Sequence, residues 1–360
     1  MKPPSRSTLE GLQPFRQGEP PARPPTLNLA TNESRYGPSS HARAAFAGVG
    51  VHLEQYPDPY QSALRAALAK VHGIDAARII CGNGSDELLQ LLLRAYVGPG
   101  DDVVFSRYSF TMAMVHTTSL GARVIIADEP ELVPDPEQIL ATLTPATRAV
   151  FLASPNNPVG AYLPADGLSR LVAGLPDDVL LVLDGAYADF VDAADFDWGA
   201  KYVDNRTNVV VTRTFSKLYG LAGLRIGWLY APIEVIDAVE RIRTPFNASS
   251  AAMAAATAAV LDEAYARRVL ELTRAARERF SEVAARLPGI SVCPSHTNFV
   301  LLRFDGARRD ARGAADALLA QGIRTQLTGS LGPANSLRIT LGRDMENERV
   351  LAVLSEYLAE

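Results

Sequence analysis

Lys217 and Arg225 stand eight residues apart in the stretch 208–228, among apolar neighbours and beside Gly220 and Gly223. Cations in apolar surroundings need an anionic or electrophilic partner. Residues 209–211 read as a buried strand and 212–217 as a polar loop at its end, which gathers Thr214, Ser216 and Lys217. Three other stretches end apolar runs with polar groups. At 82–87, Gly84 precedes Ser85 and Asp86 at a helix start, where bare N–H groups and a hydroxyl suit an anion. The third glycine of a dinucleotide site is absent there. At 154–160, prolines fix a loop that carries Asn157. At 179–187, Asp184 closes an apolar run and is costly to bury unless a cation or donor meets it, and Tyr187 follows at the same edge. Singly, these stretches have plainer readings: a helix cap, a turn, a solvated loop lysine.

Such groups converge only if a frame brings strand ends together. Strand patterns at 102–105, 123–127, 149–153, 179–183 and 209–211 alternate with helical ones at 110–120, 136–143 and 164–174. That alternation predicts an α/β fold whose large domain holds a mostly parallel sheet flanked by helices, with ligands at the carboxyl ends of the strands. Residues 232–287 read as helical throughout. After them come strands at 299–304 and 337–341 and helices at 311–321 and 347–358, a smaller α+β C-terminal domain. The expected division is an N-terminal arm over 1–28, a large domain over 29–245, and a connecting helix with the small domain over 246–360.

Bulk properties remove other classes. The 360 residues are 48% apolar and 21% charged, with a net charge of -5, which offers no basic footprint for nucleic acid. Cys81 and Cys293 are isolated and the five histidines scattered, so neither a disulfide scaffold nor a metal site is expected. No run suits a signal peptide or a membrane span, and a cytoplasmic location is the default. At the strand ends, an anion cradle, a carboxylate, an amide, a phenol, a lysine and an arginine are the set that pyridoxal 5'-phosphate requires.

In order and spacing the motifs resemble the fold-type I, class I and II aminotransferases, and within them the histidinol-phosphate aminotransferase family. The resemblance runs from about Leu29 to Tyr357. It rests on Tyr-Pro-Asp-Pro from Tyr56, Gly-Asn-Gly-Ser-Asp-Glu from Gly82, and Pro-Asn-Asn-Pro from Pro155. It also includes Asp-Gly-Ala-Tyr from Asp184, Arg-Thr-Phe-Ser-Lys from Arg213, and Gly-Leu-Ala-Gly-Leu-Arg from Gly220. It implies that Lys217 holds the cofactor covalently and then moves protons, that Asp184 pairs with the pyridinium nitrogen, and that Tyr187 and Asn157 bond the ring's phenolic oxygen. Gly84, Ser85, Asp86 (by its N–H), Thr214, Ser216 and Arg225 would hold the phosphate, with the Asp86 carboxylate turned away or capping the helix. Tyr108 would stack on the ring, and Tyr56 would reach the neighbouring subunit's phosphate in a homodimer. Arg338 would grip the substrate's anionic group, with 2-oxoglutarate as the implied amino acceptor.

The substrate end departs from that family. Phe15 stands where a tyrosine is usual, Gln326 where an arginine is usual, and Leu331 where an aromatic is common. Arg324 lies two residues before Gln326, within strand-like reach on the same face, and Tyr36 completes the expected substrate set. Aminotransferases of aromatic or other amino acids, and related decarboxylases or oxidases, therefore compete as readings. A cofactor-binding regulator would need a DNA-binding module for which the arm leaves no room.

Overall fold

Every second residue of the central strands faces a different apolar layer. The computed structural model describes residues 5–9, 11–13, 26–306, 309–329 and 332–359. After a short β1 (Leu27–Asn28) come β2 (Ile79–Gly82), β3 (Asp102–Ser106), β4 (Arg123–Ala127), β5 (Thr147–Ala153), β6 (Leu180–Asp184), β7 (Val209–Thr214) and β8 (Gly227–Tyr230). The last seven form one sheet in the order β2-β8-β7-β6-β5-β3-β4. Strands β3 to β7 pair in parallel, whereas β8 runs antiparallel to β2 and β7.

Leu181, Leu183, Val209 and Val211 face a layer containing Leu64 and Leu68 of the helix Ser62–His72 and Leu171 of the helix Ala165–Gly174. Leu180, Val182 and Val210 face Leu88 and Leu92 of the helix Ser85–Tyr96 and Val239 of the helix Ile233–Ile242. Each buried aliphatic side chain contributes roughly 1.5–3 kcal/mol relative to exposure, so a one-residue slip of any strand is strongly disfavoured.

Two expectations are corrected here. Strand β7 continues through Thr214, because Thr212, Arg213 and Thr214 pair with Leu229, Trp228 and Gly227; these three sit on a strand, and only Ser216 and Lys217 lie in the bend beyond it. The stretch 232–287 is three helices, not one. After Ile242 the chain leaves the helix, with Phe246 at φ 57, and Ser249 caps Ser250–Leu261 by accepting from the Ala252 N–H. Asp262 then caps Glu263–Ala284 by accepting from the Tyr265 N–H.

Strands β9 (Ile290–Cys293), β10 (Phe299–Phe304), β11 (Ile323–Arg324), β12 (Gln326–Leu327) and β13 (Ser336–Thr340) follow. Four form an antiparallel sheet, β12-β13-β10-β9, while β11 pairs in parallel with β1. Arg324 and Gln326 therefore lie in separate sheets and share no strand face, since the chain changes pairing partner at Thr325. Leu337 and Ile339 pack with Leu27, Leu29, Phe280, Val350 and Leu354. Alternation then turns Arg338 and Thr340 toward the end of the large sheet. Cys81 and Cys293 are buried free thiols, and among the described residues no helix is long and apolar enough to cross a membrane.

Candidate active site

Asp184 closes β6 and is 6% exposed. It accepts from the Ala186 N–H at 3.2 Å and the Thr212 hydroxyl at 3.3 Å. Burial pushes its carboxyl up to about 6, opposed by these donors and by the Lys217 charge. A buried carboxylate with only neutral hydrogen-bond donors retains room for a cation.

Lys217 follows β7, and its Nζ donates to the Thr31 carbonyl at 3.1 Å and lies 5.7 Å from the centre of the Tyr187 ring. The Tyr187 hydroxyl accepts from Asn32 Nδ2 at 2.7 Å, and its ring meets Phe299 edge-on.

On the other side of the lysine lies a cradle. Thr214 donates to the Ser216 hydroxyl at 3.0 Å, and Arg225 Nη1 reaches the same hydroxyl at 3.5 Å. Arg225 holds φ 52, a left-handed conformation that costs a non-glycine residue energy, and its Nη1 also donates to the Ala222 carbonyl at 3.0 Å. A Cβ at Gly84 would lie 2.5 Å from Arg225 Nη2, and one at Gly227 would lie 2.5 Å from the Ser85 nitrogen. Both glycines thus let backbone and guanidinium close around one spot at the start of the helix Ser85–Tyr96. The Asp86 carboxylate lies 3.4 Å from His116 Nε2, while Glu87 caps the turn by accepting from the Asn83 N–H at 2.6 Å. The donor set fits a phosphate at one end and a basic ring nitrogen at the other.

The substrate candidates are distributed differently. Arg338 is 8% exposed. Its Nη1 donates to Asn157 Oδ1 at 2.5 Å and its Nη2 to the Ala30 carbonyl, whereas its Nε has no partner among the described residues. Burial pulls the guanidinium below its ordinary range. Gln326 pairs directly opposite Arg338, with its amide turned to the Leu327 carbonyl. Tyr36 is half-buried, and its carbonyl accepts from the Tyr265 hydroxyl at 2.9 Å. Tyr56 is 81% exposed and stacks on Phe246 with ring centres 4.6 Å apart. Phe15 and Leu331 lie outside the described residues.

Two groups escaped the sequence reading. Asn32 carries no local signal of its role, and only its hydrogen bond to Tyr187 brings it to the site. Glu129, 6% exposed, accepts from the Tyr108 N–H at 3.1 Å and from Asn156 Nδ2 at 2.7 Å. It therefore ties the Tyr108 turn to the loop of Asn157, and burial pushes its carboxyl up to about 7. Nothing in its local sequence signals that link.

A family model described as aminotransferase class I and II matches residues 24–354. A histidinol-phosphate aminotransferase of Rhodospirillum centenum is 44% identical over 349 residues, covering 96% of each chain. One from Rhodopseudomonas palustris strain BisB18 is 42% identical over 353 residues, covering 97% of this chain and 96% of its own. The crystal structure of the histidinol-phosphate aminotransferase of Sinorhizobium meliloti in complex with pyridoxal-5'-phosphate superposes with a TM-score of 0.86 at 31% identity, covering 94% of this chain and 92% of that one.

Proposed function

We propose that this chain, which belongs to the class I and II aminotransferases and is a pyridoxal-phosphate-dependent transaminase, moves the amino group of a donor of the histidinol-phosphate type to 2-oxoglutarate. The observation that carries the reading is the pairing of a lysine and a buried carboxylate hydrogen-bonded only by neutral donors at adjoining strand ends with a glycine–arginine cradle beside them. Its relatives' substrate supports the donor class.

Bound there, the cofactor supplies an aldehyde for the donor's amine and a ring that draws electrons from the donor's α-carbon. The chain's residues do the rest. Arg225, Ser85, Thr214, Ser216 and the N–H groups at Gly84 and Asp86 hold the phosphate, and Asp184 keeps a proton on the ring nitrogen. Tyr187 and the Nδ2 of Asn157 donate toward the ring oxygen, while Tyr108 covers one ring face. Lys217 Nζ takes the α-proton and returns it one position away. Arg338 grips the acceptor's α-carboxylate, for which its bare Nε offers a further donor. Tyr36 and Arg324 complete the donor's surroundings. In this reading residues 29–245 form the cofactor-binding domain and 246–360 the connecting helix and small domain.

Val51, Leu53, Tyr56 and Tyr60, all more than 70% exposed, support a homodimer in which Tyr56 reaches the partner's phosphate site. The reading also places the enzyme in the cytoplasm, without nucleic-acid or membrane partners. A second reading, an aromatic amino acid donor, is favoured by Gln326 standing opposite Arg338 without a second guanidinium there.

Mixing holoenzyme with single donors while following the cofactor's absorbance tests the choice. Histidinol phosphate is expected to convert the band. Conversion by a free aromatic amino acid and not by histidinol phosphate would overturn the proposed donor.

A further inference from the structure

The segment 29–32 passes between the two sheets, and each of its four carbonyls accepts a hydrogen bond. Leu29 accepts from the Thr340 N–H at 2.9 Å, Ala30 from Arg338, Thr31 from Lys217 at 3.1 Å, and Asn32 from Asn298 at 3.0 Å. The lysine and the arginine thus share one short strap. At its end Asn32 is 2% exposed and holds φ 56, a conformation asparagine tolerates better than most residues.

The Asn32 side chain is oriented by Thr340. Thr340 Oγ1 accepts from the Asn32 N–H at 3.0 Å, and its own hydroxyl proton goes to Asn32 Oδ1 at 3.1 Å. With Oδ1 taken, Nδ2 faces Tyr187 at 2.7 Å. An amide nitrogen only donates, so the phenol must accept there, and its own proton points elsewhere.

We propose that Asn32 is a positioning residue: it fixes Tyr187 as a donor toward the cofactor's ring oxygen and, through Thr340, ties that donor to the strand bearing Arg338. The proposal rests on the reading that Tyr187 faces that oxygen. A donor to the oxygen stabilises the state in which it carries more negative charge, and so lowers the pH at which the bound cofactor changes its absorbance. Loss of the fixed direction raises that midpoint.

Asn32→Asp is nearly isosteric, keeps the Thr340 bond and removes the donor to Tyr187. The measurement is the absorbance pH midpoint of the holoenzymes of wild type, Asn32→Asp, Asn32→Ala, Tyr187→Phe and the Tyr187→Phe/Asn32→Asp pair. Asn32→Asp and Asn32→Ala are each expected to raise the midpoint by about one pH unit, a tenfold change in proton affinity. Neither is expected to add to Tyr187→Phe. If Tyr187→Phe shifts the midpoint and the Asn32 variants do not, the role of Asn32 is overturned while Tyr187 stands. An equal Asn32→Asp shift in the Tyr187→Phe background also overturns it, because the effect would then be the new charge. If Tyr187→Phe itself leaves the midpoint unmoved, the underlying placement of Tyr187 fails.

Discussion

The Thr214–Ser216–Arg225 part of the cofactor half and the proposed substrate half of the site are built in opposite ways, although Lys217 and Tyr187 of the cofactor half also reach the segment 29–32. Around the cradle, the bonded partners are close in sequence: Thr214 with Ser216, two apart, and Arg225 with Ser216, nine apart. Around Arg338 they are remote: Asn157 is 181 residues away and Ala30 is 308. The first half hangs from strand ends whose register is fixed by two apolar layers. The second exists only once the segment 29–32, the loop of Asn157 and β13 have come together. Short-range contacts therefore mark the cradle, and long-range assembly positions Arg338.

The sharpest way to break this contrast is to remove the cofactor half alone. Lys217→Ala is expected to abolish the cofactor's bound absorbance band and to lower turnover by at least ~10^3-fold, the scale of losing a positioned proton carrier. Single-turnover absorbance checks both. Survival of the band would show that the covalent attachment lies elsewhere.

The next effect is thermodynamic and belongs to the same half. Asp184 rises from 3.8 to about 6 in the cofactor-free chain. A carboxyl raised on folding binds protons more tightly folded than unfolded. Its stabilising contribution is thus complete below about pH 4 and is lost as pH climbs through 6, by ~3 kcal/mol. Urea midpoints of the cofactor-free protein should fall over that window, and Asp184→Asn should make the fall shallower. Glu129, raised to about 7, contributes with the same sign and persists in the variant, so some slope remains. An equal slope in both proteins would show that Asp184 is not buried as a lone carboxylate.

Arg338 tests the other half. Arg338→Lys keeps a charge but loses the fork, and the KM for 2-oxoglutarate is expected to rise about 30-fold, or ~2 kcal/mol, the scale of one charge-assisted hydrogen bond. The cofactor's absorbance should stay as in wild type. A changed spectrum would erase the proposed separation between the halves.

What could be read in advance follows the same division. The uninterrupted apolar runs Leu180 to Leu183 and Val209 to Val211 announce strands buried on both faces, and their residues do divide between two layers. Asp184 was legible because a carboxylate ending an apolar run conflicts with burial unless a donor or cation answers it, whereas Lys217 is half-buried and Arg225 exposed, and only their spacing marks them. Strand β8 was missed because its antiparallel insertion depends on partners at Ile79 and Val211 that no local window contains. The break near Phe246 was hidden between two apolar helices. Asn32 is left-handed, and its partner Tyr187 lies 155 residues away, beyond any local pattern.

The smallest expected effect probes the residue that most separates this chain from the resemblance. Gln326 pairs with Arg338 across β12 and β13, so both side chains stand on one face of the sheet. An arginine there would place two guanidinium groups side by side, an arrangement that repels until a multiply charged anion enters. Gln326→Arg is therefore expected to raise kcat/KM for histidinol phosphate about tenfold, ~1.4 kcal/mol, and to leave a free aromatic amino acid unchanged or poorer. Added salt should shrink the gain, because a partly exposed charge pair is screened. Kinetics with both donors at two ionic strengths check this. If the two donors improve together, the residue acts on Arg338 rather than on the donor's distal group.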